Sequence, residues 1–179
     1  MLATAIQGNL ATVRADALVN AANAALAGGG GVDGALHRAA GPELAAACRV
    51  FPWVTRGVRC PTGEVRVTPA FQLEANFVIH AVGPVYDSRD PGPSRTLLRQ
   101  VHLAALAAAA DRDCRSVAFP AISTGAFRFP VRDAARVAAD AVAAWRAAHP
   151  SIELDICFVL FDAKTHRLYA SALGAAATS

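Results

Sequence analysis

Short apolar runs alternate along the chain with longer amphipathic stretches. The short runs predict strands at Leu2–Gln7, Ala17–Val19, Glu64–Thr68, Phe77–Ala81, Ser116–Phe119 and Leu154–Leu160. The longer stretches predict helices at Val32–Ala40, Pro42–Cys48, Ser94–Asp111, Val131–His149 and Ala163–Leu173. Punctuation supports several of these bounds. Gly41-Pro42 stops the first helix, Ser94 suits an N-cap, and Pro150 lies just past His149. Strands alternating with helices imply an α/β sheet covered on both faces. The Asp, Ser, Gly and Pro of Pro84–Pro93 mark a surface loop, and the tail Gly174–Ser179 should fray. No repeat or long linker divides the chain.

Bulk composition narrows the picture. The 179 residues suit one domain, enough to bury roughly 70% of the unfolded surface without a staple. Hydrophobic residues make up 54%, inflated by alanine, and the longest apolar run, Leu103–Ala110, is far short of a membrane span. No basic-then-apolar leader precedes Met1-Leu2-Ala3-Thr4. Cys48, Cys60, Cys114 and Cys157 are scattered and read as reduced thiols. Together these features predict a cytoplasmic protein with no membrane partner. A net charge of +3 suits a small polyanionic ligand, but it is too dispersed to argue for nucleic-acid binding.

The chemistry concentrates between Asn20 and His37. Asn20-Ala-Ala-Asn23 is followed by four glycines, Gly28 to Gly31, and then by Val32-Asp33-Gly34-Ala-Leu-His37. The glycines stand between a strand end and a helix start, where backbone amides and the helix dipole can hold a phosphate. Gly29-x-Gly31-x-x-Gly34 formally matches a dinucleotide fingerprint. Two features oppose that reading. Gly29 lies ten residues past the strand end at Val19, and no acidic residue falls between Leu44 and Gly63. No Gly-Lys-Ser/Thr is present, which excludes a P-loop. His37, His80, His102, His149 and His166 lack metal-ligand spacing, so no metal and no cofactor are expected.

A second loop, Pro120 to Pro130, follows the strand Ser116–Phe119 and carries Ser123-Thr-Gly-Ala-Phe-Arg-Phe129. Its backbone amides and hydroxyls suit phosphate oxygens. Both loops should open at the carboxyl ends of strands. Asn23 can donate and accept, and so can orient hydroxyls; its alternative is a turn-forming residue. Asp33 falls in a first helical turn, where the dipole favours the ionised form. It can orient or deprotonate a water, or simply cap the helix. His37, one turn on, either holds Asp33 or the ligand, or packs in the core. Asn20 reads as structural, satisfying loop backbone groups.

Four motifs occur in order: Asn20 to His37, Cys60-Pro-Thr-Gly63, Val78-Ile-His80-Ala-Val-Gly-Pro84, and Ala118-Phe-Pro-Ala-Ile-Ser-Thr-Gly125. From Ile6 to Tyr169 this pattern resembles the macro domain family, in particular its MacroD-type branch. The resemblance implies a three-layer α/β/α domain over residues 1–173 with a central mixed sheet, followed by a short tail, 174–179. It implies metal-independent hydrolysis of ADP-ribosyl esters: O-acetyl-ADP-ribose, mono-ADP-ribosylated Asp or Glu on proteins, and ADP-ribosylated nucleic-acid ends. Asn23, Asp33 and His37 would be catalytic, with Asn23 on the distal ribose and Asp33 beside the scissile bond. Gly30, Gly31 and Val32 would clamp the diphosphate against Ser123, Thr124, Gly125 and Ala126, with Phe127 packed on the distal ribose and with Asn20 and Leu10 counted among the ligand-binding residues.

Gly8-Asn9-Leu10 matches the family's Gly-Asp-hydrophobic signature, with Asn9 where an aspartate accepts from the adenine amino group. Phe161 and Asp162 match an aromatic and acidic pair beside the adenine; they also read as ordinary strand-end residues. Arg128 and Phe129 stand where the family usually has Gly and Tyr. Arg128 either reaches the diphosphate, covers the site or points to solvent. The competing functions are a non-catalytic ADP-ribose reader and a regulatory interaction module; the presence of both Asn23 and Asp33 favours the enzyme.

Overall fold

Residues 3–177 are described by the computed structural model. Among them the strands are β1 (Thr4–Gln7), β2 (Ala17–Ala21), β3 (Val65–Pro69), β4 (Phe77–Ala81), β5 (Ser116–Phe119) and β6 (Asp155–Leu160). The helices are α1 (Gly31–Ala40), α2 (Pro42–Val50), α3 (Pro91–Ala110), α4 (Val131–Ala148) and α5 (Ala163–Ala176). The strands form one sheet in the order β1-β6-β5-β2-β4-β3. All neighbours are parallel except β3 and β4, so the sheet is mixed. Parallel neighbours need crossovers, which the helices supply, whereas a short turn suffices between β3 and β4.

Side-chain alternation along the strands divides the interior in two. Ala17, Val19, Ile79, Ala81, Val117, Phe119, Ile156, Phe158 and Leu160 face one way, into a core closed by Leu98, Val101, Leu106, Ala138, Val142 and Tyr169. Leu18, Val78, Ala118 and Val159 face the other way, against Leu36, Ala40 and Leu44. Helices α1 and α2 thus cover one face and α3, α4 and α5 the other, giving three α/β/α layers. No helix of the described residues is long and apolar enough to cross a membrane.

Two expectations need correction. Helix α3 begins at Pro91, three residues before Ser94. Proline at the start of a helix is pre-set in φ and loses no hydrogen bond there. Ser94 is therefore inside the helix, and its Oγ accepts from the Asp87 amide and donates to the Val85 carbonyl, fastening the preceding loop. Helix α5 runs on past its expected end at Leu173 to Ala176, with Leu173 buried and Ala176 packed on the core. Leu2 of the first expected strand, and Thr178 and Ser179 of the tail, lie outside the described residues.

Candidate functional site

The carboxyl ends of the five mutually parallel strands open into one cleft of about 900 Å³. The segments after β1, β2, β4, β5 and β6 all contribute to it: Asn9 and Leu10, Asn23 with Gly29 to Asp33, Gly83, Pro120 to Phe127, and Phe161 with Asp162.

The loop after β2 is shaped by its own asparagine. Asn23 Nδ2 donates to the Gly28 carbonyl at 2.8 Å, and its Oδ1 accepts from the Ala27 amide at 3.2 Å. The turn-forming role expected as an alternative for Asn23 is therefore filled, while among the described residues the second Nδ2 hydrogen has no partner. Gly28 and Gly31 take left-handed φ of +78° and +57°, which glycine adopts without Cβ strain. Gly34 is needed for a different reason. A Cβ there would stand 2.5 Å from the Gly29 carbonyl oxygen, so only glycine lets the loop lie against α1. Gly30 caps α1 with no side-chain hydrogen bond. The first-turn amides of Gly31, Val32 and Asp33 therefore have no partner within the helix and carry the positive end of its dipole.

The loop after β5 faces them. Among the described residues, its Ser123, Gly125, Ala126 and Phe127 amides donate to no backbone acceptor. The Arg128 and Phe129 amides close the turn instead, onto the Gly125 and Ser123 carbonyls. Ser123 has φ +66° and a buried hydroxyl without a partner. The loop seats on Gly83, where a Cβ would meet both Ser123 Oγ and Ile122 Cγ2. Tyr86 donates its amide to the Phe127 carbonyl at 2.9 Å and packs its ring 4.8 Å from that of buried Phe129. Arg128 has φ +58°, which suits the glycine expected there; its side chain is exposed and does not line the cleft.

At the floor between the loops sits Asp33, only 5% exposed. Its Oδ1 accepts from Asn20 Nδ2 at 2.7 Å and lies 3.3 Å from His37 Nε2. His37 thus lies against Asp33, the contact that one of its readings expects. Among the described residues Oδ2 makes no hydrogen bond, and it stands beside Gly29 at the cleft wall. Burial raises the Asp33 pKa, opposed by the Asn20 hydrogen bond and by the charge of His37. The helix dipole was expected to favour the ionised form; desolvation of a nearly closed site outweighs it.

Asn20, expected to satisfy loop backbone groups, instead forms part of a buried side-chain chain. It pairs in register with His80 on β4, and its Nδ2 lies 3.2 Å from His80 Nδ1. Because Nδ2 can only donate, Nδ1 is the acceptor, and Nε2 carries the proton that is donated to Thr68 Oγ1 at 2.9 Å. Burial, with His37 nearby, lowers the His80 pKa to about 3 and keeps the ring neutral. Thr68, His80 and Asn20 thus fix where Asp33 points. Sequence reasoning missed the roles of His80 and Thr68. The available signal was a histidine inside a strand whose neighbours are all apolar. It also missed Arg38, which lines the cleft one turn beyond Gly34.

The far end of the cleft is built differently. Asn9 Oδ1 caps a 3-10 turn, Leu10–Thr12, by accepting from the Ala11 amide at 3.0 Å, and Leu10 is buried beneath it. Asp162 caps α5: Oδ1 accepts from the Thr165 amide at 2.9 Å and Oδ2 from its hydroxyl at 2.7 Å. Phe161 is 83% exposed on the lip, leaving its ring free.

Comparison with known proteins agrees with this architecture. The family model for the Macro domain matches residues 19–138. A macro domain-containing protein of Xanthomonas axonopodis pv. citri is 42% identical over 97% of this chain and 96% of its own length. One from Streptomyces coelicolor is 44% identical over 96% of this chain and 98% of its own. Among solved structures, the Oceanobacillus iheyensis macrodomain with ADP superposes with a TM-score of 0.89 at 35% identity, covering 97% of this chain and 90% of that one. The Trypanosoma brucei macrodomain in complex with ADP-ribose gives 0.84 at 34% identity, covering 95% of this chain and 68% of that one.

Proposed function

The chain belongs to the macro domain family, and from that premise we propose that it binds ADP-ribose and hydrolyses ADP-ribosyl esters. The relatives solved with ADP and with ADP-ribose support the ligand. The two amide-rich loops suit a diphosphate between them. Adenine then falls at the Asn9 and Phe161 end, where the free ring can stack. The distal ribose falls at the Asn23 and Phe127 end, beside Asp33.

One observation carries the hydrolase reading: a buried carboxylate has one oxygen pinned by Asn20 and His37 and the other open to the cleft. A carboxylate used only to cap a helix needs no such support. In the reaction, Asp33 Oδ2 orients a water and takes one proton from it as the water oxygen bonds to the ester carbonyl carbon; the bond from that carbon to the ribose oxygen then breaks, and the ribose oxygen takes the proton back from Asp33. ADP-ribose and a free carboxylate depart. Desolvation moves the base towards neutrality, while Asn20 and His37 keep it ionisable.

Incubation with O-acetyl-ADP-ribose, without added metal, should release ADP-ribose. Calorimetry should show tighter binding of ADP-ribose than of ADP or NAD, because a free distal ribose is read by Asn23 and Phe127. Binding without turnover would make the chain a reader.

A further inference from the structure

The end of α2 and the segment that follows it towards β3 take no part in the cleft chemistry, yet their surface is unusual. Val50, Trp53 and Val54 are 81%, 53% and 54% exposed. Arg49, Arg56 and Arg59 are interspersed with them, and no acidic residue occurs from Leu44 to Gly63. The local charge of +3 equals that of the whole chain. Neither Arg49 nor Arg56 has a carboxylate partner among the described residues.

This surface is held in shape. Thr55 and Val58 form a bridge around Arg56-Gly57, closed by Val54 N to Val58 O at 2.8 Å and Val58 N to Thr55 O at 3.0 Å. The Arg59 guanidinium lies 3.5 Å over the Trp53 ring and donates to the Phe51 carbonyl. The hairpin is also fastened to the cleft. The amides of Arg59 and Cys60 both donate to the Ala24 carbonyl, at 2.8 and 3.0 Å, and Ala24 follows Asn23 of the cleft wall. Beneath them Ala22, Leu26, Cys48, Cys60 and Val82 form one small core.

We propose that the surface from Arg49 at the end of α2 through the hairpin to Arg59 is a docking surface for the acidic polypeptide segment flanking an ADP-ribosylated Asp or Glu. The proposal rests on the placement of the distal ribose given above. That placement puts the ester beside Asn23, so the esterified chain leaves the cleft next to Ala24 and the hairpin. Carboxylates near the modified residue meet Arg49 and Arg56, and apolar side chains cover Trp53, Val50 and Val54. A nucleic-acid strand fits less well. Base stacking needs aromatic platforms, and here the exposed ring of Trp53 has one face taken by Arg59, while its exposed neighbours are valines.

The test compares native protein with Arg49→Glu/Arg56→Glu and with Trp53→Ser. Substrates are O-acetyl-ADP-ribose, glutamate-linked ADP-ribosyl peptides with acidic or neutral flanks, and an ADP-ribosylated single-stranded oligonucleotide. The charge reversal should lower kcat/KM for the acidic peptide by about tenfold at low salt, a loss that added salt erases. Trp53→Ser should weaken both peptides, and O-acetyl-ADP-ribose turnover should stay native in both variants. Equal use of acidic and neutral peptides by the native protein would overturn the proposal. So would an unchanged acidic peptide, or a loss confined to the oligonucleotide. Affinity for a non-hydrolysable amide-linked ADP-ribosyl acidic peptide, relative to free ADP-ribose, is measured alongside. If it depends on Arg49 and Arg56 while no ester is cleaved, the docking surface stands and the hydrolase reading fails.

Discussion

Asn20→Ala isolates the support of Asp33 from Asp33 itself. The two side chains meet at 2.7 Å, with Asn20 fully buried and Asp33 nearly so. A hydrogen bond to a charged group is worth about 1.5–3 kcal/mol, and 1.36 kcal/mol corresponds to about one decade of proton affinity. The bond stabilises the ionised carboxylate, so its loss makes Asp33 hold its proton more tightly. The acid limb of kcat/KM for O-acetyl-ADP-ribose should therefore move to higher pH, and at a fixed pH on that limb the rate should fall by about tenfold to a hundredfold. At alkaline pH the rate should recover towards native.

Stability should follow the same sign. A carboxyl whose pKa is raised by folding favours the fold below its unfolded pKa, and that contribution is lost as pH rises through the folded value. The variant's deficit in Tm should therefore grow from acid to neutral pH. A single-turnover pH profile with parallel melting curves checks both. A uniform drop at every pH, with the limb unmoved, would refute the tuning argument. A fully native profile would show that Asp33 is not the titrating base.

Asp33→Ala should reduce ester hydrolysis by at least ~100-fold, the usual scale for a positioned acid–base group, while calorimetry finds ADP-ribose affinity much less affected. Gly125→Glu should fold normally, because a Cβ there meets nothing within 4 Å. Its carboxylate facing the diphosphate should weaken ADP-ribose binding by roughly 3 kcal/mol, and near-native affinity would show that the second loop is no clamp. Asn9→Asp keeps the cap on the Ala11 amide and should favour ADP-ribose over its hypoxanthine analogue by about 0.5–1.5 kcal/mol more than native. Identical selectivity in a competition titration would place the adenine elsewhere.

Much of the scaffold is local and therefore legible. Glycine and proline at residues 28–31, 41–42 and 150, with short apolar runs between them, act over a few residues and locate the elements within a turn. The same locality reveals the two loops, because a glycine run before a helix and Ser123-Thr-Gly before another expose backbone amides whatever the rest of the chain does. It fails at α3, where Ser94 is a good cap in isolation but Pro91 starts the helix and the Ser94 hydroxyl ties a loop instead. Other features arise only when distant segments meet. Asn20 and His80 are sixty residues apart and become partners through strand register, and the Asn20 amide, donor to His80 Nδ1, sets the tautomer that Thr68 then accepts from. Asp162, by resemblance beside the adenine and otherwise an ordinary strand-end residue, gains a cap role only where α5 starts. The hairpin at residues 54–58 is held beside the loop after β2 only because the Ala24 carbonyl accepts from the Arg59 and Cys60 amides. Residue types and spacing thus carry the chemistry available to this chain. Which carboxylate is buried, which oxygen stays open and which way its proton affinity moves depend on desolvation and long-range pairing, and those exist only once the sheet has closed.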